Sequence, residues 1–241
     1  MSMSSRWWCG ALATAAALWC PVAGADYAPF QGYVEMPQVL APMVMGNMAT
    51  ENLRLLNERN AKGAAGRTSS SGTGGSTVVP PASTTNTPQQ LAARYPAAQR
   101  PRIEHAFRES LKGYHQLEDK LGIPRNDVAG AVAAYIAGSY MAYRDVRLPD
   151  EHFKLLVAQM RSLLEGNRVF QRASSAEKRE MYEQMAIIGT FMAVTRESLK
   201  RQPGQAQYAE NVRQAAKTNL EQFLKTDADR VQITDRGLLI R

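Results

Sequence analysis

The sequence predicts an all-α protein: a helical bundle of about five helices, preceded by a disordered linker and an N-terminal extension. Three observations predict it. From residue 102 to residue 225 apolar side chains recur at three- and four-residue steps, the period of a helix face. Gly and Pro fall between those runs, where helices must stop. One run, "DVAGAVAAYIAGSYMAY" at residues 127–143, carries no formal charge after Asp127 and is almost half Ala and Gly. A helix that is apolar nearly all round is a buried one.

The first long helix is expected over about residues 102–121. Ile103, Phe107, Leu111, Tyr114, Leu117 and Leu121 form its stripe, and Gly122 and Pro124 end it. The second is the run at 127–143, with Asn126 or Asp127 as cap. It is shorter than the roughly twenty residues a membrane span needs, and Asp127 and Arg144-Asp145 bound it. Gly130, Ala134, Gly138 and Ala142 recur every four residues. They make a smooth face on which another backbone can approach closely, so this helix is expected at the bundle centre. The third helix starts after Pro149 and buries Phe153, Leu156, Val157, Met160, Leu163 and Leu164, ending at Gly166-Asn167. The fourth opens with a capping box, Ser174-x-x-Glu177. It carries Met181, Met185, Ile188, Met192, Thr195 and Leu199 and closes at Pro203-Gly204. The fifth spans about 205–225, with Tyr208, Val212, Ala216 and Phe223 inward. The tail alternates at Val231 and Ile233, turns at 235–237 and resumes at Leu238, as a short strand or a docking arm.

The chain of 241 residues divides into four parts. Residues 1–25 read as a signal peptide: Arg6, an apolar run over residues 7–20, then Ala23-Gly24-Ala25, with cleavage after Ala25. Trp19 before Cys20 does not suit a lipid-attachment site. Cleavage removes every Cys and Trp, so the mature chain has no disulfide and no thiolate chemistry. The expected location is periplasmic or secreted. Residues 26–62 hold Pro29, Pro37 and Pro42, then a short helix from Thr50. Residues 63–94 form a low-complexity Gly/Ser/Thr/Pro linker, expected to stay flexible because so few apolar residues cannot offset the entropy of ordering. Residues 95–241 are the bundle domain.

The spacing of "NDVAGAVAAYIAGSYMAY", followed by "LPDEHFKLLVAQMRSLL" and "SSAEKREMYEQMAIIGTFMAV", resembles a family of exported bacterial helical proteins catalogued only as a domain of unknown function. The resemblance covers roughly residues 100–240. It implies a bundle fold and an envelope or secreted location, and it carries no active residues.

The chemistry is sparse. The formal charge is +7. In residues 95–241, 23 Lys/Arg stand interspersed with 18 Asp/Glu, a mixed surface without the basic stripe that nucleic acid requires. His115 and Glu118 lie one turn apart, but a carboxylate-bridged metal site wants Glu-x-x-His repeated on two helices, so they are expected as a solvated pair. His105 and His152 are expected at the surface. Ser139 lacks a base and an oxyanion hole, and its hydroxyl is expected to bond back along its helix. Glu177, Glu180 and Glu183 sit at a helix start, where acids complement the dipole. Met43, Met45 and Met48, in M-x-M-x-x-M, are the one candidate metal set, for Cu(I). With Met36, Val39, Leu40 and Val44 they form an apolar strip better suited to docking. No cofactor is expected. The sequence favours a non-enzymatic binding or assembly module with an envelope protein or surface component as partner. The alternative is a small-ligand-binding or cell-wall-acting enzyme with a pocket between bundle helices.

Overall fold

The computed structural model describes residues 76–81, 84–201 and 205–241. The expected signal peptide, the helix from Thr50 and the strip from Met36 to Met48 lie outside the described residues. Within them the protein is all-α, with seven α-helices and one small hairpin.

Helix α1 (Thr87–Ala92) is a single short helix with Pro88 in its first turn. Pro is tolerated there because its missing N–H has no intrahelical partner to lose. A 3-10 turn at Ala97–Gln99 leads into α2 (Arg100–Leu121), which ends where Gly122 takes the left-handed conformation, φ 67°. Helix α3 (Val128–Arg144) is capped by Asp127, whose side chain accepts the Ala129 N–H. Helix α4 (Asp150–Gly166) starts after Pro149 with two acids in its first turn. Asn167 then caps the short α5 (Arg168–Arg172), accepting the Val169 and Phe170 N–H groups. Helix α6 (Ser175–Arg201) opens on the expected box: Ser174 Oγ accepts from Glu177 N–H, and Glu177 accepts from Ser174 N–H. Helix α7 (Ala206–Leu224) precedes the antiparallel pair β1 (Val231–Thr234) and β2 (Gly237–Ile240), with Val231 opposite Ile240 and Thr234 opposite Gly237.

Helix α3 is the axis, packed on α4, α6 and α7, and α6 packs in turn on α2. Fourteen of its seventeen residues are buried. The small-residue face has a specific partner: Gly138 meets Gly189 of α6 backbone to backbone. Phe107, Tyr114, Tyr135, Ile136, Leu156, Phe170 and Tyr182 fill the core around it. The hairpin docks on α4 through Gln159, whose side-chain amide donates to Leu238 O at 3.0 Å and accepts from Leu238 N–H at 2.7 Å.

Four expectations about the elements and their packing need correction. The helices α1 and α5 are additional to the five read from periodicity, each being too short to show a period. Tyr208 and Val212 of α7 are only half-buried. The Ser139 hydroxyl is buried without a hydrogen-bond partner among the described residues rather than bonded back along its helix. Finally, residues 76–81 and 84–94, expected within the flexible linker, lie against the bundle. Val79 is 3% exposed, Leu91 1% and Ala92 1%. A few apolar anchors and paired backbone groups order a segment whose composition is otherwise that of a linker.

Candidate functional site

Residues 76–81 and 84–95 form a strap that joins the bundle at two carboxylates. The first is Asp127, fully buried at the start of α3. Its Oδ1 accepts the Thr77 hydroxyl at 2.7 Å and the Ala129 N–H at 3.1 Å. Its Oδ2 accepts from Arg161 of α4 at 2.5 Å. One side chain thus caps a helix, holds the strap and neutralises a cation, which accounts for its burial. The backbone adds an isolated antiparallel bridge between Val78 and Asp127. Val79 N–H donates to Asn126 O at 3.0 Å and Val128 N–H donates to Thr77 O at 2.9 Å.

The second carboxylate is Glu183 of α6. Its Oε2 accepts the hydroxyls of Thr85 and Thr87, each at 2.5 Å. Arg179 approaches its other oxygen at 4.0 Å and donates to Asn126 Oδ1 at 3.3 Å. Glu183 was expected to be one of three acids at a helix start, complementing the dipole. It is instead buried beneath the strap, while Glu177 holds the cap and Glu180 stays exposed. Between strap and helix lies a cleft of about 480 Å³. Pro80, Pro81, Gln90, Ser175, Arg179 and Glu180 contribute to its walls.

A third carboxylate lies deeper. Glu118 was expected to be solvated with His115, yet its side chain is 0% exposed. The reason is the inward stripe of α2, which runs through Tyr114 to Glu118, leaving Leu117 half-buried. The Tyr182 hydroxyl donates to both Glu118 oxygens, at 3.0 and 3.2 Å. The nearest cation, Arg125, stands 3.9 Å away and is engaged by Asp119. Burial pushes the Glu118 carboxyl up to about 7, against the Tyr182 hydrogen bond, the Arg125 charge and the Asn126 N–H, which favour ionisation; Asp127 adds to the rise. His115 is half-buried and stacked on Tyr182, with rings 6.4 Å apart and 12° from parallel. Burial, with Arg125, lowers its pKa. The Tyr114 hydroxyl is buried without a partner among the described residues, and burial and Glu118 raise its pKa well above the ordinary value. His105 is exposed and His152 half-buried.

The sequence-predicted contact residues Met36, Val39, Leu40, Met43, Val44, Met45 and Met48 lie outside the described residues. The Cu(I) candidates are among them. Among the described residues no three His, Cys, Asp or Glu side chains group as a metal site would require, and no helix is long and apolar enough to cross a membrane. The polar groups that do converge are Thr77, Thr85, Thr87, Glu118, Asn126, Asp127, Tyr182 and Glu183. Glu118 was legible as a carboxylate one turn beyond Tyr114 on a core stripe. The three threonines carried no such signal.

An all-α bundle with an N-terminal strap fastened by threonine–carboxylate bonds is the class of protein these features define. The profile of DUF6683, a family of unknown function, matches residues 10–241, and the chain belongs to that family. Comparison with curated proteins and with solved structures finds no match.

Proposed function

We propose that this protein is an exported, non-enzymatic binding module of the cell envelope. The bundle is a rigid platform, and the strip formed by Met36, Val39, Leu40, Met43, Val44, Met45 and Met48 meets an envelope protein or surface component. One observation carries this proposal: the strap. Thr77 is pinned by Asp127 at the start of α3, so the chain leading back to the strip departs from one fixed point on the platform. Of the residues between, 49–76, the part at 63–75 is Gly- and Ser-rich. A linker of that composition would let the strip search a volume around that point, raising its effective concentration for a nearby site. Met-rich apolar contacts adapt to their partner's shape. The deep polar groups fit a supporting role, since Glu118, Asp127 and Glu183 spend their oxygens on the protein's own donors.

The test is a photo-crosslinker at Val39 or Val44 in living cells, with fractionation of the mature protein. Adducts to an envelope protein or surface component are expected. If adducts form only within the chain, to helices of the bundle, the strip belongs to this protein's own fold and the proposal fails.

The cleft beside Glu180 favours a second reading, a small-ligand site. Its volume falls within the range of ligand pockets, roughly 300–1,000 Å³. Ligand-observed NMR with envelope saccharides and short peptides tests it. A hit that Glu180→Ala and Gln90→Ala leave unweakened would place binding elsewhere.

A further inference from the structure

Strap, loop and buried carboxyl are joined by one residue. Asn126 takes the left-handed conformation, φ 62°, between α2 and α3, a region that Asn tolerates better than most residues. In that conformation it serves three neighbours. Its N–H faces Glu118 and Tyr182. Its carbonyl accepts the strap's Val79 N–H at 3.0 Å. Its side-chain oxygen accepts from Arg179 at 3.3 Å. The same short turn therefore covers Glu118 and pairs with the strap.

Glu118 has only a shared cation: Arg125, in the loop, stands 3.9 Å from it and is bound more closely by Asp119. Arg161, from α4, is held by Asp127. Arg179, from α6, is shared between Asn126 and Glu183. From α2, Tyr114 and His115 face the same polar cluster, with Asp119 at its rim. From α6, the Tyr182 hydroxyl faces Glu118 directly. The described strap residues next to the turn, 76–81, carry no charge. An ionised Glu118 would thus add a second negative charge beside Asp127 in a site closed to water, where charge separation is costly. The protonated form suits the closed site, consistent with a carboxyl raised to about 7.

We propose that docking of the strap takes up a proton at Glu118, making the strap a proton-linked clasp that closes as pH falls and loosens as pH rises. Lifting the strap frees Asn126 O and Val128 N–H and opens the turn to water. Hydration then favours the carboxylate. A group that binds its proton more tightly in the docked state favours docking below its docked-state titration, and that advantage is lost as pH rises through it. The window is set by Glu118, between its ordinary value of 4.5 and about 7. The strap carries the N-terminal segment, so its loosening would change where that segment departs from the bundle.

Hydrogen exchange of the full chain between pH 5.5 and 8.5, corrected for intrinsic rates, reads the clasp at two amides, Val79 and Val128. Their opening is expected to rise about tenfold from pH 6 to pH 8, while the α3 amide of Ala137 stays protected. Glu118→Gln is expected to flatten the dependence. Tyr182→Phe removes a donor that favours the carboxylate, and so is expected to move the midpoint to higher pH; it keeps the idea testable if Glu118→Gln does not fold. A flat response in the parent protein, a response shared equally by Ala137, or one surviving in Glu118→Gln overturns the proposal. So does a Tyr182→Phe midpoint that is unmoved or lower. Loss of the dependence in His115→Asn also overturns it, because His115 would then be the sensor.

Discussion

Replacing Gly138 with alanine adds one methyl group where α3 meets α6 backbone to backbone. A Cβ there would overlap the Gly189 carbonyl oxygen, with the carbonyl carbon at 2.7 Å and Cα at 3.1 Å. Carbon atoms rest about 3.5–4.0 Å apart, so the two backbones must separate by about 1 Å. The obstacle is main chain, which cannot rotate aside as a side chain can. Retreat is also limited because α3 is packed on α4 and α7 as well. Overpacking of this kind costs about 1–3 kcal/mol, and backbone obstruction places it at the upper end. Alanine recovers up to about 1 kcal/mol of helix propensity, leaving a net loss of about 2 kcal/mol. Gly138→Leu should lose more. The control is Gly113→Ala on α2, where the new Cβ would find only Thr190 Cγ2 at 3.6 Å, an ordinary contact. That variant should be as stable as the parent or up to about 1 kcal/mol more so. Urea unfolding of the full chain, followed by circular dichroism, ranks the three. If Gly138→Ala matches Gly113→Ala, the helices do not touch here and the packing argument is wrong.

The other predictions concern the strap and its anchors. Leu91→Ala should cost about 2–4 kcal/mol, as a core truncation does; a loss below about 0.5 kcal/mol in urea unfolding would mean the strap adds little to the core. Asp127→Asn should cost about 2 kcal/mol by weakening the bonds to Arg161 and Thr77 together, with a lowered urea midpoint as the readout. A fragment of residues 95–241 should fold and melt cooperatively, but at a lower temperature than residues 76–241; equal melting temperatures would count against strap stabilisation. Glu118 should invert the usual acid response: its neutral form stabilises the fold fully below pH 4.5, and that benefit is lost as pH rises through about 7. His115, with its lowered pKa, works in the opposite direction. The measurement is therefore the stability difference between parent and Glu118→Gln, which should shift against the parent by up to about 3 kcal/mol between pH 4.5 and 8. No shift would mean that Glu118 titrates normally.

How far each feature could be read from the sequence depended on how local its cause was. Pro149, the Ser174–Glu177 box, Asp127 and Gly122 act within one helical turn, and the helix ends lie where those residues put them. The four-residue spacing of Gly130, Ala134, Gly138 and Ala142 announced a close approach. It could not announce the partner, because Gly189 sits in α6 without a matching repeat. Glu118 shows the same limit. Its position after Tyr114 is visible, but a helix face can rotate by one residue, and Leu117 is the more apolar side chain to bury. Tyr182, 64 residues on, decides the matter by offering a hydroxyl to the carboxylate.

The strap was hidden for a different reason. Composition weighs a segment as though it must order itself from its own apolar surface. By that measure the stretch around Thr77, Thr85 and Thr87 has little to offer. The bundle changes the balance, because Asp127 and Glu183 are held in place by α3 and α6. Each threonine hydroxyl then meets an ionisable acceptor held in place, and hydrogen bonds to charged groups are worth about 1.5–3 kcal/mol. Val79, Leu91, Ala92 and Tyr95 add apolar burial at only a few points. The carboxylates in turn need the hydroxyls, since a buried acid without donors would be costly. Strap and anchors therefore stabilise each other, and neither half of that exchange leaves a periodic trace in the sequence. The result is a segment with the composition of a linker and the packing of a structural element, attached through groups that respond to charge. Sequence change at Asp127 or Glu183 should therefore act on the placement of the N-terminal segment as well as on the stability of the bundle.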